Sequence, residues 1–234
     1  MSPSQSIPRN VAVIDDDENM RGMTAEFLRD ASFEPIIRKD TIDQLPQFVN
    51  WIRTNKIWGA ICDHRLSTGG LSIKFSGAEI VSTLFKENVP AVLLSRFDTI
   101  DADATIRPYR RYVPKLLSPE ESGAEALHAA LDACAREITG TVPLERKSRR
   151  VLVRVLEKSN EANKEMLDVM VPTWRTTKAV RFPLDLIEDA ALRKSVGPKS
   201  RLFVHVNIDA ERSEDLFFHD FERATEKDDK DGLA

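Results

Sequence analysis

Through the first 140 residues, short unbroken apolar runs alternate with stretches whose apolar positions recur every three or four residues. Val11-Ala12-Val13-Ile14 is the first run, and a short Val- and Ile-rich block reads as a buried strand. Glu18 to Ala31 places Met20, Met23, Ala25, Phe27 and Leu28 on one broad face, the pattern of a helix. Phe33 to Arg38 is a second strand, and Pro35 assigns it to an edge or a strand end. Ile42 to Thr54 forms a helix interrupted near Pro46, with Phe48, Val49 and Ile52 inward. Trp58 to Asp63 is the third strand, followed by a polar, glycine-bearing loop from Ser67 to Ser76 and a helix from Ala78 to Lys86. Pro90 to Ser95 is the fourth strand, and the weakly patterned segment Asp98 to Arg107 takes the place of the next helix. Arg111 to Lys115 is a fifth strand ending in a lysine. Ser118-Pro119-Glu120-Glu121 then opens a helix with a cap, a first-turn proline and acids at the positive dipole end. That helix carries Leu127, Leu131 and Cys134 to about Ile138, and Gly140 ends it.

Strands and helices alternating at these lengths imply an α/β fold, a doubly wound five-stranded parallel sheet over residues 9–140. The spacing predicts a different second half. Leu144 to about Val169 reads as a long charged helix, with Val151, Val155, Ala162, Met166 and Val169 near a 3,4 seam, so residues 141–171 are expected to be a helical connector. Residues 172–223 turn to short β elements: a strand over Lys178 to Leu184, a helical turn over Glu188 to Lys194, and a turn at Gly197 to Ser200. Leu202, Val204, Val206 and Ile208 alternate with Phe203, His205 and Asn207, and Leu216 to Phe221 repeats the pattern with Phe217, His219 and Phe221 on one side. A small β-rich interaction module is expected there, between a flexible start (residues 1–8) and a charged, disordered tail (residues 224–234).

Composition narrows the class. Hydrophobic residues make up 41% and charged residues 31%, as in ordinary water-exposed domains. A net charge of -4 gives no prior for nucleic acid or an acidic membrane surface. Arg146, Lys147, Arg149, Arg150 and Arg154 cluster, but neighbouring glutamates point to a solvated face, not a DNA contact. Cys62 and Cys134 lack metal-ligand spacing and read as buried free thiols of a reducing compartment. The polar start has no signal-peptide core, and no run approaches a membrane span, so a cytoplasmic location is expected.

The chemistry gathers at strand ends. Asp15, Asp16, Asp63, Ser95 and Lys115 each end a strand, and the ligands of such sheets sit at the carboxyl edge. Crowded carboxylates raise one another's pKa unless a cation lies between them, and an incomplete set of hard oxygen ligands favours Mg2+. A carboxylate, a hydroxyl and a lysine around such an ion suit attack on a phosphoryl group.

With these residues in this order, residues 9–139 or so resemble the receiver domain of bacterial two-component response regulators. The resemblance implies a flavodoxin-like fold and a phosphorelay signalling protein that is phosphorylated and not otherwise an enzyme. It implies that Asp63 accepts the phosphoryl group. Asp16 would bind Mg2+ directly, Asp15 through water, and the backbone carbonyl of Arg65 would add a ligand. Ser95 would be the switch hydroxyl, Lys115 its cationic partner and Tyr112 the rotating aromatic. A sensor histidine kinase or phosphotransfer protein would be the donor, and switching would act through self-association or through a protein partner of the β module.

Four departures from that pattern stand in the sequence. The Pro and acid after Asp63 are missing, Gly77 comes about six residues late, Leu116 replaces the proline after the lysine, and Arg96 stands where a small residue is usual. They sustain a second reading, a receiver fold kept as a phosphorylation-independent adaptor, ahead of a third, a DNA-binding regulator. His64 reads as a partly exposed side chain. His205 and His219 face each other across two strands, where the sequence supplies no third metal ligand.

Overall fold

The computed structural model describes residues 9–38, 41, 43–66, 74–96, 101–161 and 163–224. The expected flexible start, the inserted loop after Leu66 (residues 67–73) and all but the first residue of the expected disordered tail lie outside the described residues. The chain forms two compact units: residues up to 98 with 112–141, and residues 99–111 with 142 onward.

The first unit is a parallel sheet of β1 (Arg9–Ile14), β2 (Phe33–Ile37), β3 (Gly59–Asp63), β4 (Ala91–Leu94) and β5 (Lys115–Leu117), in the order β2-β1-β3-β4-β5. This is the flavodoxin-like order of a doubly wound sheet. Helices α1 (Glu18–Asp30), α2 (Leu45–Thr54), α3 (Gly77–Lys86) and α4 (Ala124–Ile138) follow strands as the alternation requires. Pro35 lies on the edge strand, and Pro46 sits in the first turn of α2, where no N–H is needed. Val11, Val13, Ile61, Val92, Leu127 and Leu131 share one core. Burying each such side chain contributes roughly 1.5–3 kcal/mol. Both cysteines are free and buried.

Two boundaries in this unit differ from the sequence reading. The fifth strand begins at Lys115 instead of ending there, because Arg107–Tyr112 coils into a 3-10 helix. The last helix is split: Ser118 caps a 3-10 turn (Pro119–Glu121) in a reciprocal box with Glu121, and the α-helix starts only after Gly123.

The second unit is an antiparallel sheet in the order β10-β9-β6-β7-β8, from β6 (Arg149–Glu161), β7 (Lys164–Val171), β8 (Arg175–Pro183), β9 (Arg201–Val206) and β10 (Phe218–Arg223). It overturns the expected long helix and helical connector. Residues 149–171 form a two-stranded hairpin with Asn163 at φ 63° in its turn. Val151, Val153 and Val155 face Leu167, Val169 and Val171 in one core, a period of two that β-branched residues favour. The basic cluster is dispersed. Arg146 is buried, donating to the carbonyls of Arg110 (3.0 Å) and Arg111 (2.7 Å), while Arg149 pairs with Asp209 and Arg150 with Glu222.

The second unit also takes the segment between β4 and β5. A π-helix (Asp101–Ile106) and the following 3-10 helix lead into two buried arginines. Arg107 donates to the carbonyls of Ser213 (2.7 Å) and Leu216 (2.8 Å) and pairs with Asp103 (2.5 Å). Arg110 pairs with Asp215 at 2.8 Å, and burial pulls its guanidinium down to about 10, with Arg146 adding to the shift and Asp215 opposing it.

Candidate functional site

Asp15 and Asp16 leave β1 together, and Asp63 ends β3, which pairs directly with β1. Their carboxylates offer oxygens that all lie within 4.8 Å of one another. Asp17, the next acid, caps α1, accepting from the N–H of Asn19 (2.8 Å) and of Met20 (3.1 Å). The cap fixes where the chain turns, and so where Asp15 and Asp16 project.

Burial is the main force on these groups. It pushes the Asp15 carboxyl up to about 7; a hydrogen bond from the Asp17 N–H (2.8 Å) opposes the shift, and the charges of Asp63, Asp16 and Asp17 add to it. It pushes Asp63 up to about 6, where the Arg65 N–H (2.8 Å) opposes, Asp16 adds, and the His64 N–H and the Arg96 charge oppose. A divalent cation would relieve both carboxyls, so the residues fit one.

Gly77 holds the seat of Asp63. Its N–H donates to the His64 carbonyl at 3.0 Å, and a Cβ there would stand 1.9 Å from the carbonyl oxygen of Asp63. The late glycine of the sequence is thus the helix-start residue, with Ser76 as the cap of α3.

The remaining expected residues divide. Ser95 is buried just beyond β4, its N–H bonded to the carbonyl of Leu117 at 3.0 Å, at the same rim as Asp63. Arg65 is exposed two residues past Asp63. Lys115 is not at the rim. It pairs with Val92, two residues before the Leu94–Leu117 level, or roughly 6–7 Å down the strand. Lys115 makes no ion pair among the described residues. The charge of Arg96, which stands where a small residue was expected, weakly opposes the rise at Asp63. Tyr112 lies beside the end of α3, its ring 6.4 Å from that of Phe85 and 4.3 Å from the Lys86 ammonium. His64 is buried, not partly exposed as expected.

In the second unit, His205 and His219 do stand opposite each other, with rings stacked at 5.1 Å. Phe221 leaves the side of Phe217 and His219, however, and packs on the core near Phe182, because a bulge at Asp220 adds a residue.

No family model and no curated protein matches this sequence. Solved structures similar to it include a response regulator receiver domain protein from Clostridium thermocellum, 17% identical, covering 56% of this chain and 97% of that one at a TM-score of 0.42. The receiver domain of NtrX from Brucella abortus is 17% identical, with 53% and 97% covered, at 0.41. A response regulator protein from Burkholderia pseudomallei, solved with a phosphorylated aspartic acid, calcium ion and citrate, is 18% identical, with 56% and 71% covered, at 0.41. The matched share is a little over half of this chain, and the fold assignment rests on the strand order itself.

Proposed function

We propose that the parallel unit accepts a phosphoryl group on Asp63 in a Mg2+-dependent step and that the antiparallel unit is the module it switches. The observation that carries this reading is the convergence of Asp15, Asp16 and Asp63 at the carboxyl rim, where burial and crowding push the Asp15 and Asp63 carboxyls up. Asp15, Asp16, Asp63 and the Arg65 carbonyl would hold the ion, which when bound supplies charge neutralisation to the phosphoryl oxygens.

An Asp63 carboxylate oxygen attacks phosphorus, the oxygen–phosphorus bond forms, and the bond to the donor breaks with its electron pair leaving on the donor. With a phosphohistidine of a sensor kinase or phosphotransfer protein as donor, that pair leaves on the imidazole nitrogen. The backbone N–H of Arg65 already holds the Asp63 carboxylate in place. Arg96, whose charge is felt at Asp63, would supply positive charge to the phosphoryl oxygens, the role the resemblance implied for Lys115. Ser95 is the hydroxyl positioned to follow the new charge. A cytoplasmic, signalling and otherwise non-enzymatic protein is part of this reading.

The displacement of Lys115 from the rim favours one rival, an adaptor that engages its partner without phosphoryl turnover. Intact-mass measurement after incubation with a small phosphodonor separates the two. The proposal expects one phosphoryl per chain, lost on omission of Mg2+ and in Asp63→Asn. No gain by the native chain from either a small donor or a phosphotransfer protein would favour the adaptor.

A further inference from the structure

The pair of facing histidines on the antiparallel sheet has an acidic neighbour that the sequence did not reveal. Strand β10 carries a bulge between His219 and Glu222, with Asp220 in the left-handed region at φ 54°. In a regular strand Asp220 would point to the face opposite His219. The bulge instead brings its carboxylate onto the two rings: Oδ2 lies 2.7 Å from Nδ1 of His219 and 3.5 Å from Nδ1 of His205. One nitrogen from each ring and one carboxylate oxygen lie within 4.8 Å of one another.

Two further observations point to a ligand. Nδ1 of His205 is shut off from solvent and makes no hydrogen bond among the described residues, although it faces the carboxylate. Nε2 of His219, on the far side of its ring, is 3.0 Å from the hydroxyl of Ser148. That hydroxyl can accept from or donate to Nε2, so it can hold the ring with its proton on Nε2 once Nδ1 exchanges its hydrogen bond to Asp220 for an ion. We infer that His205, His219 and Asp220 form a binding site for a divalent transition-metal ion of the zinc class, with the fourth position open to solvent.

The chemistry of the donors selects the ion. Two imidazoles and one carboxylate are a zinc-type set, distinct from the all-oxygen set at Asp15, Asp16 and Asp63. In a tetrahedral site the ligand atoms stand about 3.3 Å apart, given metal–ligand bonds of ~2.0–2.1 Å. From 2.7 and 3.5 Å, the two nitrogen–oxygen separations need to change by about 0.6 and about 0.2 Å, and the stacked rings must turn so that both nitrogens point at the ion. Asp220 is the most exposed of the three, which leaves the outer side to water. The nearby charge of Arg111, felt at both His219 and Asp220, limits affinity without occupying the ligand positions.

The test uses the full chain, stripped of metal and titrated with Zn2+ against a chromogenic chelator in excess Mg2+, so that the first unit's oxygen site does not compete. Asp220→Asn is the informative variant, since Asn tolerates a positive φ and the bulge can persist without the charge. His205→Gln is the second. The inference expects one Zn2+ per native chain, at least tenfold weaker binding in each variant, and unchanged binding in Asp63→Asn. Substituting Co2+ should give the intense visible bands of a four-coordinate site in the native chain only. Native affinity in both variants, or no Zn2+ taken up by the native chain, would overturn it. Loss of binding in Asp63→Asn would overturn it equally, by placing the ion in the first unit.

Discussion

At the scale of single residues, the three rim carboxylates make a prediction whose sign is fixed. The folded pKa values of Asp15 (about 7) and Asp63 (about 6) lie above those of an unfolded chain. Between the unfolded and folded values the native state therefore holds more protons, and stability falls as pH rises through that window. In a chelating buffer the unfolding midpoint of the parallel unit should decline from about pH 4 to pH 7. Saturating Mg2+ should flatten the decline at its upper end, because the ion replaces the protons. Asp15→Asn keeps an oxygen for the Asp17 N–H and removes a charge. It should stabilise the metal-free protein at pH 8 by about 1 kcal/mol or more, roughly 2–4 °C for a chain of this size. Thermal unfolding followed across pH, with and without Mg2+, measures both; a midpoint that rises with pH in the absence of metal would refute the account.

At the scale of elements, the seating of α3 against β3 can be broken with one methyl group. Gly77→Ala would drive a Cβ to 1.9 Å from the Asp63 carbonyl, and backbone cannot yield as a side-chain tip does. Overpacking of this kind costs about 1–3 kcal/mol, and here the strain falls on the acceptor residue itself. The variant should lose phosphoryl acceptance by far more than its lowered unfolding midpoint explains, and intact mass beside a melting curve separates the two effects. The same elements show what a sequence discloses. Asp15, Asp16, Asp63 and Ser95 were legible because unbroken apolar strands deliver their next residues to one rim. Lys115 was misplaced because Tyr112-Val113-Pro114 looks like a strand while tertiary packing coils the chain before it. Residues 149–171 were misread because Val151, Val155, Met166 and Val169 also fit the 3,4 spacing of a helical seam, while Leu152 and Leu156 fill the intervening positions and blur the alternation. The better signal was the period of two among Val151, Val153 and Val155 in one arm and Leu167, Val169 and Val171 in the other. Asp220 joined the histidines only through a bulge, which no alternation pattern foretells.

At the scale of the whole molecule, the chain path itself links the two units. The chain leaves the parallel unit after Ser95 and Arg96 at the end of β4, and it returns at Tyr112 just before β5. Between these points, residues 101–111 are built into the antiparallel unit through Arg107 and Arg110. The part of this connection that belongs to the antiparallel unit, residues 101–111, is anchored there by buried charged hydrogen bonds. Such bonds are stiff, since separating their partners leaves buried charges without compensation. Phosphorylation should change amide hydrogen exchange in residues 101–111 and in the 213–217 loop that holds the arginines. Arg110→Gln removes the charge that grips Asp215, while Arg212, at 2.9 Å, still pairs with that carboxylate and keeps the loop folded. In this variant Asp63 should accept the phosphoryl group at the native level, while the exchange response at 213–217 shrinks by at least half. An undiminished response would show that the signal reaches the second unit by another route. If the native protein shows no response there, the anchored segment is a structural tie and carries no message.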